Sequence, residues 1–200
     1  MKKHTCTILL AVLLISSASY AQKTRWGIQA GATYSNITFS YDGEVESDDY
    51  KPGFTAGIMM DRKIGKSVFF QPALNFVQKG TQSDENSVKT SATLNYLEIP
   101  LNFVYRSKQE SGFFIGGGPG IGFGLGGTSK YGDNKESIDF GGDGNPDVVE
   151  VEANFLAGYM FPKKLQIALS YNFGITNLMD DDTFKTKNNY FGLRVGYYFK

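Results

Sequence analysis

Apolar and polar residues alternate one by one in eight separate segments of this chain. A period of two is the pattern of a β-strand that has one apolar and one polar face. The clearest segment runs from 113 to 126, where the apolar side carries Phe113, Ile115, Ile121, Phe123 and Leu125. Every second position on its other side is glycine: Gly116, Gly118, Gly120, Gly122, Gly124 and Gly126. Repeated segments of roughly ten such residues are typical of a β-barrel that crosses a membrane.

The number and spacing of the segments sharpen that prediction. The segments span 26–35, 53–61, 68–78, 93–105, 113–126, 149–161, 165–175 and 191–199. Their connections alternate strictly between short turns and long loops, the long ones being 39–52, 79–92, 127–148 and 177–189. An even strand number with short periplasmic turns and long outer loops is typical of single-chain outer-membrane barrels. We therefore expect an all-β, eight-stranded, antiparallel, up-and-down transmembrane β-barrel.

The orientation of the two faces separates this fold from a soluble barrel. A soluble, lipid-binding periplasmic barrel also has eight strands, and it hides its apolar face inside. Here the apolar face is large and aromatic, and it includes Phe103, Phe123 and Phe173. Eight strands enclose only enough space for side chains to fill, so this number of aromatic rings would hardly fit inside the barrel. An apolar exterior and a polar interior are favoured, with the soluble barrel kept as an alternative.

The first 21 residues have the pattern of a secretory signal peptide. Lys2 and Lys3 precede the apolar run 8–15, and Ser19-Tyr20-Ala21 is a small-residue cleavage signal. The barrel domain is then expected to span 22–200. The chain's single His and single Cys both lie in the predicted signal peptide. Without them the remaining chain has no Cys or His nucleophile, no His base and no Cys or His zinc site, so no enzyme is predicted.

Charged and amide side chains fall on the face predicted to point inward. They are Glu98, Glu150, Glu152, Arg194, Gln71, Asn75, Asn102 and Asn154, with Gln29. Charges inside a narrow barrel must be paired, because an isolated buried charge is very costly. Two interpretations follow: a polar plug that fixes the barrel's shape, which is favoured, or an ion path gated by salt bridges. The alternate glycines of 116–126 are expected to face inward too, where they relieve crowding.

No cofactor is predicted, and one loop has a weak metal-binding pattern. Asp139, Asp143, Asn145 and Asp147 place oxygen ligands at close spacing. The run lacks the spacing and the closing Glu of an EF-hand, so a flexible acidic loop is the favoured interpretation.

Several stretches resemble a known family. WGIQAGATYSN, PGFTAGI, QPALNFVQKG, LNYLEIPLNFVY, FFIGGGPGIGFGLGG and NYFGLRVGYYF are similar to the PorT-like outer-membrane β-barrels that are common in Bacteroidetes. The resemblance extends from Trp26 to Phe199, and its most specific part is YLEIPL. The architecture also resembles the small OmpA/OmpX-type barrels. The resemblance implies a location in the bacterial outer membrane. Such barrels usually end on an aromatic residue that the barrel-assembly machinery recognises, whereas here Phe199 is followed by Lys200.

A structural or surface-interaction role is the first functional expectation, and a narrow, porin-like pore or transporter for small solutes is the second. The long loops are acidic and the short turns basic, so contact with lipopolysaccharide through divalent cations is one hypothesis. The partners expected are outer-membrane lipid, lipopolysaccharide, the barrel-assembly machinery and an unidentified surface protein. The balanced charge of the chain gives no footprint for nucleic acid.

Overall fold

The computed structural model describes residues 24–42, 44–85, 88–108, 110–142, 145–179 and 184–199. The predicted signal peptide, 1–21, lies outside these described residues. Within the described ranges the chain forms ten β-strands: β1 (Thr24–Tyr41), β2 (Glu44–Ser47), β3 (Asp49–Lys63), β4 (Val68–Glu85), β5 (Val88–Arg106), β6 (Gly112–Tyr131), β7 (Asn134–Ile138), β8 (Val149–Met160), β9 (Leu165–Gly174) and β10 (Phe184–Tyr198). In the same part of the chain, no helix is long and apolar enough to cross a membrane.

The strands form one antiparallel sheet that closes into a ring. Its order is β10-β9-β8-β6-β5-β4-β3-β1, and β1 pairs back to β10 along a register from Gly27↔Tyr198 to Tyr41↔Phe184. Strand β2 pairs with the end of β1, and β7 pairs with the end of β6. Every strand that belongs to the ring therefore has a hydrogen-bonded neighbour on both sides.

The strands extend well into the segments that the sequence predicts to be loops. Strands β4 and β5 remain paired up to Glu85↔Val88, so the predicted loop 79–92 is mostly a β-hairpin. Strands β2 and β7 likewise lie inside the predicted loops 39–52 and 127–148. Beyond the apolar band the outer face no longer needs apolar residues, so the strands stay paired there while the alternation that predicts a strand is lost. The count of ten strands instead of eight has the same origin.

Side chains divide between the two faces of the sheet according to their polarity. On the outer face Phe113 is 74% exposed, Leu169 63% and Phe155 62%. On the inner face Glu98 is 1% exposed and Glu150 is completely buried. An apolar surface of this extent around a sheet is unusual for a protein in water and fits contact with another apolar phase.

Aromatic residues gather near both ends of the outer face. Near the short turns, the Tyr159 ring lies 4.9 Å from the rings of both Phe113 and Phe161. Near the opposite end, the Tyr34 ring stacks on Tyr50 at 4.9 Å, and the Tyr171 ring lies 4.8 Å from Phe191. Two such groups correspond to the aromatic girdles that flank the apolar band of outer-membrane barrels.

The inward row of glycines ends before Gly126. Asn95 of β5 pairs with Gly126 of β6, and the next residue, Tyr96, pairs with Gly124. Leu125 is therefore an extra residue on β6 that has no partner on β5. Such a bulge reverses the alternation beyond it. Gly127 pairs with the buried Leu94, and Gly126, with a φ of 136°, falls on the other face. The prediction of an inward Gly126 is therefore wrong.

Candidate functional site

The centre of the ring holds a buried lysine surrounded by three carboxylates. Lys79 on β4 places its Nζ 2.6 Å from Glu98 Oε1, 3.1 Å from Glu150 Oε2 and 3.3 Å from Glu152 Oε2. All four side chains are at most 2% exposed. They meet because each occupies an inward position of its strand and because β4, β5 and β8 curve around the same axis. We call these four residues the Lys79 cluster.

Further polar groups hold the Lys79 cluster in place. The Tyr190 hydroxyl donates a hydrogen bond to Glu98 Oε2 at 2.6 Å, and Arg194 Nη2 donates to the Tyr190 oxygen at 3.0 Å. Asn188 Nδ2 donates to Glu150 Oε2 at 3.1 Å. The Lys79 ammonium also lies 4.5 Å from the centre of the Tyr96 ring. A cation held over an aromatic face is stabilised by the ring's electron density.

Negative charge exceeds positive charge in this region when all groups are ionised. Three carboxylates face the single ammonium of Lys79, and Arg194 reaches them through Tyr190 rather than by a direct ion pair. Among the residues that the structure describes, Glu150 Oε1 and Glu152 Oε1 are buried without a hydrogen-bond partner. Buried carboxylates are stabilised only when they are paired, so the one lysine controls the electrostatics of the whole cluster.

A second ion cluster lies at the short-turn end of the ring. Asp61 on β3 is contacted by both Arg25 and Arg106, with Arg106 Nη2 2.9 Å from Asp61 Oδ1. Gln71 Nε2 donates to the same oxygen at 2.7 Å. The Arg106 guanidinium lies 4.0 Å from the centre of the Phe69 ring. We call Arg25, Asp61 and Arg106 the Asp61 cluster.

Apolar side chains separate and cover the two ion clusters. Strand β5 gives their order along the axis: Arg106, then Val104, then Glu98, then Tyr96 and Leu94. Val104 belongs to one buried apolar cluster, whose other members are Met59, Phe114, Leu156, Met160, Ala168 and Tyr198. Tyr96 and Leu94 belong to another, together with Ile37. The interior therefore alternates between charged and apolar layers and is packed with side chains.

The remaining predicted interior residues are distributed around these layers. Asn75 Oδ1 accepts a hydrogen bond from Gln29 Nε2 at 2.7 Å, and Asn154 Nδ2 donates to the Gly118 carbonyl at 2.9 Å. Asn102 is 9% exposed, and its Oδ1 makes no hydrogen bond within the described ranges. Each lies on the inner side of the ring, and Asn75 pairs directly with Glu98 of the Lys79 cluster across β4 and β5.

The glycines of β6 make room for the carboxylates. A Cβ atom on Gly120 would lie 2.7 Å from Glu152 Oε1, and one on Gly122 would lie 3.6 Å from Glu98 Cγ. On Gly124 it would lie 2.2 Å from the Phe140 ring. Gly116 and Gly118 instead lie close to the backbone of β5. The side chains that fill the interior thus occupy the space that these glycines leave.

The structure describes only part of the acidic loop that has the weak metal-binding pattern. Asp143 lies outside the described residues, and Asn145 Nδ2 donates to the Gly141 carbonyl at 3.3 Å. In the described part of the chain, no group of three or more His, Cys, Asp or Glu side chains is arranged to hold a metal ion. In the Lys79 cluster the lysine ammonium itself occupies the centre between the carboxylates.

Comparison with known proteins matches this architecture. The family model described as "outer membrane protein beta-barrel domain" matches residues 20–180, most of the chain. The chain belongs to this family. Its members are proteins of the bacterial outer membrane, and this protein is located there. The soluble periplasmic barrel kept as an alternative from the sequence is therefore wrong, in agreement with the apolar outer face.

Solved structures that are similar to this chain come from other bacteria. Neisserial surface protein A shares 13% identity with this outer-membrane domain at a TM-score of 0.51, covering 87% of this chain and 97% of its own. Ail, the attachment invasion locus protein of Yersinia pestis, shares 18% identity at a TM-score of 0.48, covering 88% of this chain and 99% of its own. At such identities the likeness concerns the fold alone. No curated protein matches the sequence significantly.

Sequence reasoning missed the residues that neutralise the interior. The sequence pattern places Lys79 in a loop, and Arg106 and Asp61 in short turns or at their edges. The missing signal was the continuation of the inward positions of β4 through Gln71, Asn75 and Val77 to Lys79. Three inward carboxylates require a cation, and Lys79 is the next inward charged residue on a neighbouring strand.

Proposed function

We propose that the eight strands of the closed ring span the outer membrane as a plugged barrel of the PorT-like kind, with a structural or surface-interaction role and no enzymatic activity. The observation that carries this proposal is the filled interior: two buried ion clusters and two buried apolar clusters succeed one another along the axis. A barrel whose interior is filled by side chains leaves its outer ends as the parts that meet other molecules.

The lengths of the strands support the transmembrane assignment. Phe191 on β10 and Phe199, immediately after β10, lie at the two aromatic ends of the outer face, eight positions apart. At about 3.3 Å per residue and a tilt of roughly 40°, that separation covers on the order of 20 Å across a bilayer. This is close to the height of about 25 Å typical of the apolar band.

The two ends of the ring support an orientation. One end has short connections, such as residues 64–67 between β3 and β4, and the other end carries the long hairpins of β4-β5 and β6-β7. In this class of barrel short turns lie in the periplasm and long connections lie outside. We assign the hairpin end to the cell surface, where lipopolysaccharide and a surface protein are the partners proposed. The barrel-assembly machinery is the proposed partner during insertion.

A conductance experiment tests the plugged interior. The purified protein is inserted into planar lipid bilayers, and current is recorded under an applied voltage. We expect no regular unit conductance, since side chains fill the cross-section. Stable, single-sized conductance steps would favour the pore and overturn the plugged barrel.

Cysteine labelling tests the orientation. We compare Lys89→Cys, at the β4-β5 hairpin, with Lys66→Cys, in the short turn, using a maleimide that cannot cross the outer membrane. The only native Cys is Cys6, in the predicted signal peptide. We expect Lys89→Cys to be labelled on intact cells and Lys66→Cys only after permeabilisation. The reverse pattern would invert the orientation.

A further inference from the structure

A cavity of about 460 Å³ opens at the hairpin end of the ring. Its lining comes mainly from β1, β4, β5, β6, β7 and β10, so it sits in the mouth of the barrel rather than on its outer wall. Binding sites for small molecules usually have volumes of roughly 300–1,000 Å³, with mostly apolar walls and a few placed polar groups. The mouth cavity falls within this range.

The floor of the mouth cavity is apolar and closed. Ile37 and Leu94, which line the cavity, form one buried cluster with Tyr96, and Phe140 packs against this cluster. The Tyr96 ring lies 5.2 Å from the Phe140 ring and 4.5 Å from the Lys79 ammonium beneath it. The cavity therefore ends above the Lys79 cluster, which is the geometry of a binding pocket rather than of a channel entrance.

The walls of the mouth cavity carry unused hydroxyl groups. Ser83 pairs with Thr90 across β4 and β5, and Ser129 pairs with Ala92 across β5 and β6. All four line the cavity. Within the described part of the chain, the hydroxyls of Ser83, Thr90 and Ser129 make no hydrogen bond, so they remain available to a ligand. A hydroxyl can both donate and accept, which suits a partner that also carries hydroxyls.

The charges around the mouth cavity restrict what can bind. Its charged lining residues are Asp48 and Glu136, both acidic, and the described lining includes no Lys or Arg. An anion would be repelled by these carboxylates and would find no cation to pair with. A neutral molecule is not repelled by the two carboxylates and needs no cation to pair with.

We infer that the mouth cavity is a binding site for a small uncharged molecule with an apolar body and several hydroxyl groups, about the size of a sugar joined to one aromatic ring. The apolar body lies on the floor formed by Ile37, Leu94 and Ile138, and the hydroxyls meet Ser83, Thr90 and Ser129. This activity goes beyond a structural role, and it does not depend on which end of the barrel faces the cell surface.

Titration of the intact barrel in lipid nanodiscs tests the site. The probe is phenyl β-D-glucoside, which is neutral, water-soluble and has both an apolar ring and hydroxyls. Phenyl β-D-glucuronide differs by one carboxylate, and glucose lacks the ring. We expect calorimetry to detect binding of the glucoside, with affinity at least tenfold weaker for the other two. Equal affinity for the glucuronide, or no binding of the glucoside, overturns the inference.

Variants identify the location of binding. Ala92→Phe places a ring in the cavity and is expected to lower the affinity at least tenfold, whereas Ala56→Phe makes the same change on the outer face and is expected to leave it unchanged. Thr90→Val keeps the side chain's shape but removes a hydroxyl, so severalfold weaker binding is expected even if Ala92→Phe fails to fold. Wild-type affinity in Thr90→Val, or in a folded Ala92→Phe, would exclude this cavity as the site.

Discussion

Replacing Lys79 with methionine removes the one cation that directly contacts three buried carboxylates. The substitution keeps the length of the side chain but leaves Glu98, Glu150 and Glu152 without their ammonium partner. Glu98 keeps the hydroxyl of Tyr190 and Glu150 keeps the amide of Asn188, whereas Lys79 is the one hydrogen-bond partner that the described residues offer the Glu152 carboxylate. The loss of stability should therefore come mainly from the buried negative charge of Glu152, which has no other partner among the described residues.

The expected magnitude follows from the cost of breaking a buried ion pair. Removing one partner of such a pair typically costs about 3–5 kcal/mol, because the other charge remains buried and uncompensated. Lys79→Met strands more than one carboxylate, so we expect a loss of at least about 3 kcal/mol in the free energy of unfolding. Adding Glu152→Gln to this variant removes the carboxylate that has no other partner within the described ranges and should recover part of the loss.

Urea unfolding in lipid vesicles measures this effect through intrinsic fluorescence. The single tryptophan, Trp26, lies on the outer face with 54% exposure and so reports on contact with lipid. Lys130→Met, on the exposed end of β6, serves as the matched control and should change stability by less than about 0.5 kcal/mol. If Lys79→Met unfolds within that margin of the wild type, the electrostatic account of the interior is refuted.

Three further predictions use the same unfolding measurement. Arg106→Met should destabilise the barrel less than Lys79→Met, because Asp61 keeps Arg25 as a partner; an equal or larger loss would show that the two clusters are wrongly ranked. Gly120→Ala should lower the free energy of unfolding by about 1–3 kcal/mol, since its Cβ would meet the Glu152 carboxylate. Gly65→Ala, whose Cβ would have its nearest neighbour 3.5 Å away, should be nearly neutral. Equal losses in the two variants would contradict the crowding at Gly120. Leu169 and Val45 are similarly exposed, at 63% and 67%, but only Leu169 faces acyl chains. In a bilayer Leu169→Lys should therefore lower the free energy of unfolding by about 2–4 kcal/mol, whereas Val45→Lys should leave it almost unchanged. Equal effects would contradict the assigned membrane boundary.

Local periodicity was sufficient to predict the all-β architecture and the direction of the two faces. Each strand contributes its own alternation, and residues such as Phe113 and Glu98 fall on the predicted sides. The ends of the strands could not be predicted in the same way. Beyond the apolar band both faces meet water, so the stretch from Thr81 to Glu85 carries no alternation although it is fully paired with β5.

The candidate site depended on information that the sequence carries only weakly. The alternation of apolar and polar residues places the carboxylates on the inner face, but it predicts a loop for their partner Lys79 because the alternation of β4 is clear only as far as Gln78. The bulge opposite Asn95 shows the opposite problem. When the strict alternation of inward and outward residues is extended past the bulge, it predicts the wrong face for Gly126. In both cases the error lies at the end of a strand, where register depends on the neighbouring strand rather than on local sequence.

The pairing of β1 with β10 joins residues that are almost the whole chain apart, from Gly27 to Tyr198. Until the last strand has been synthesised, β1 has an exposed edge with no partner, and an open edge cannot persist in hydrocarbon. The chain therefore cannot lie stably in the bilayer before β10 has been synthesised and paired with β1. A chain that ends before β10 should fail to insert stably, because the edge of β1 stays unpaired however well its other strands are formed.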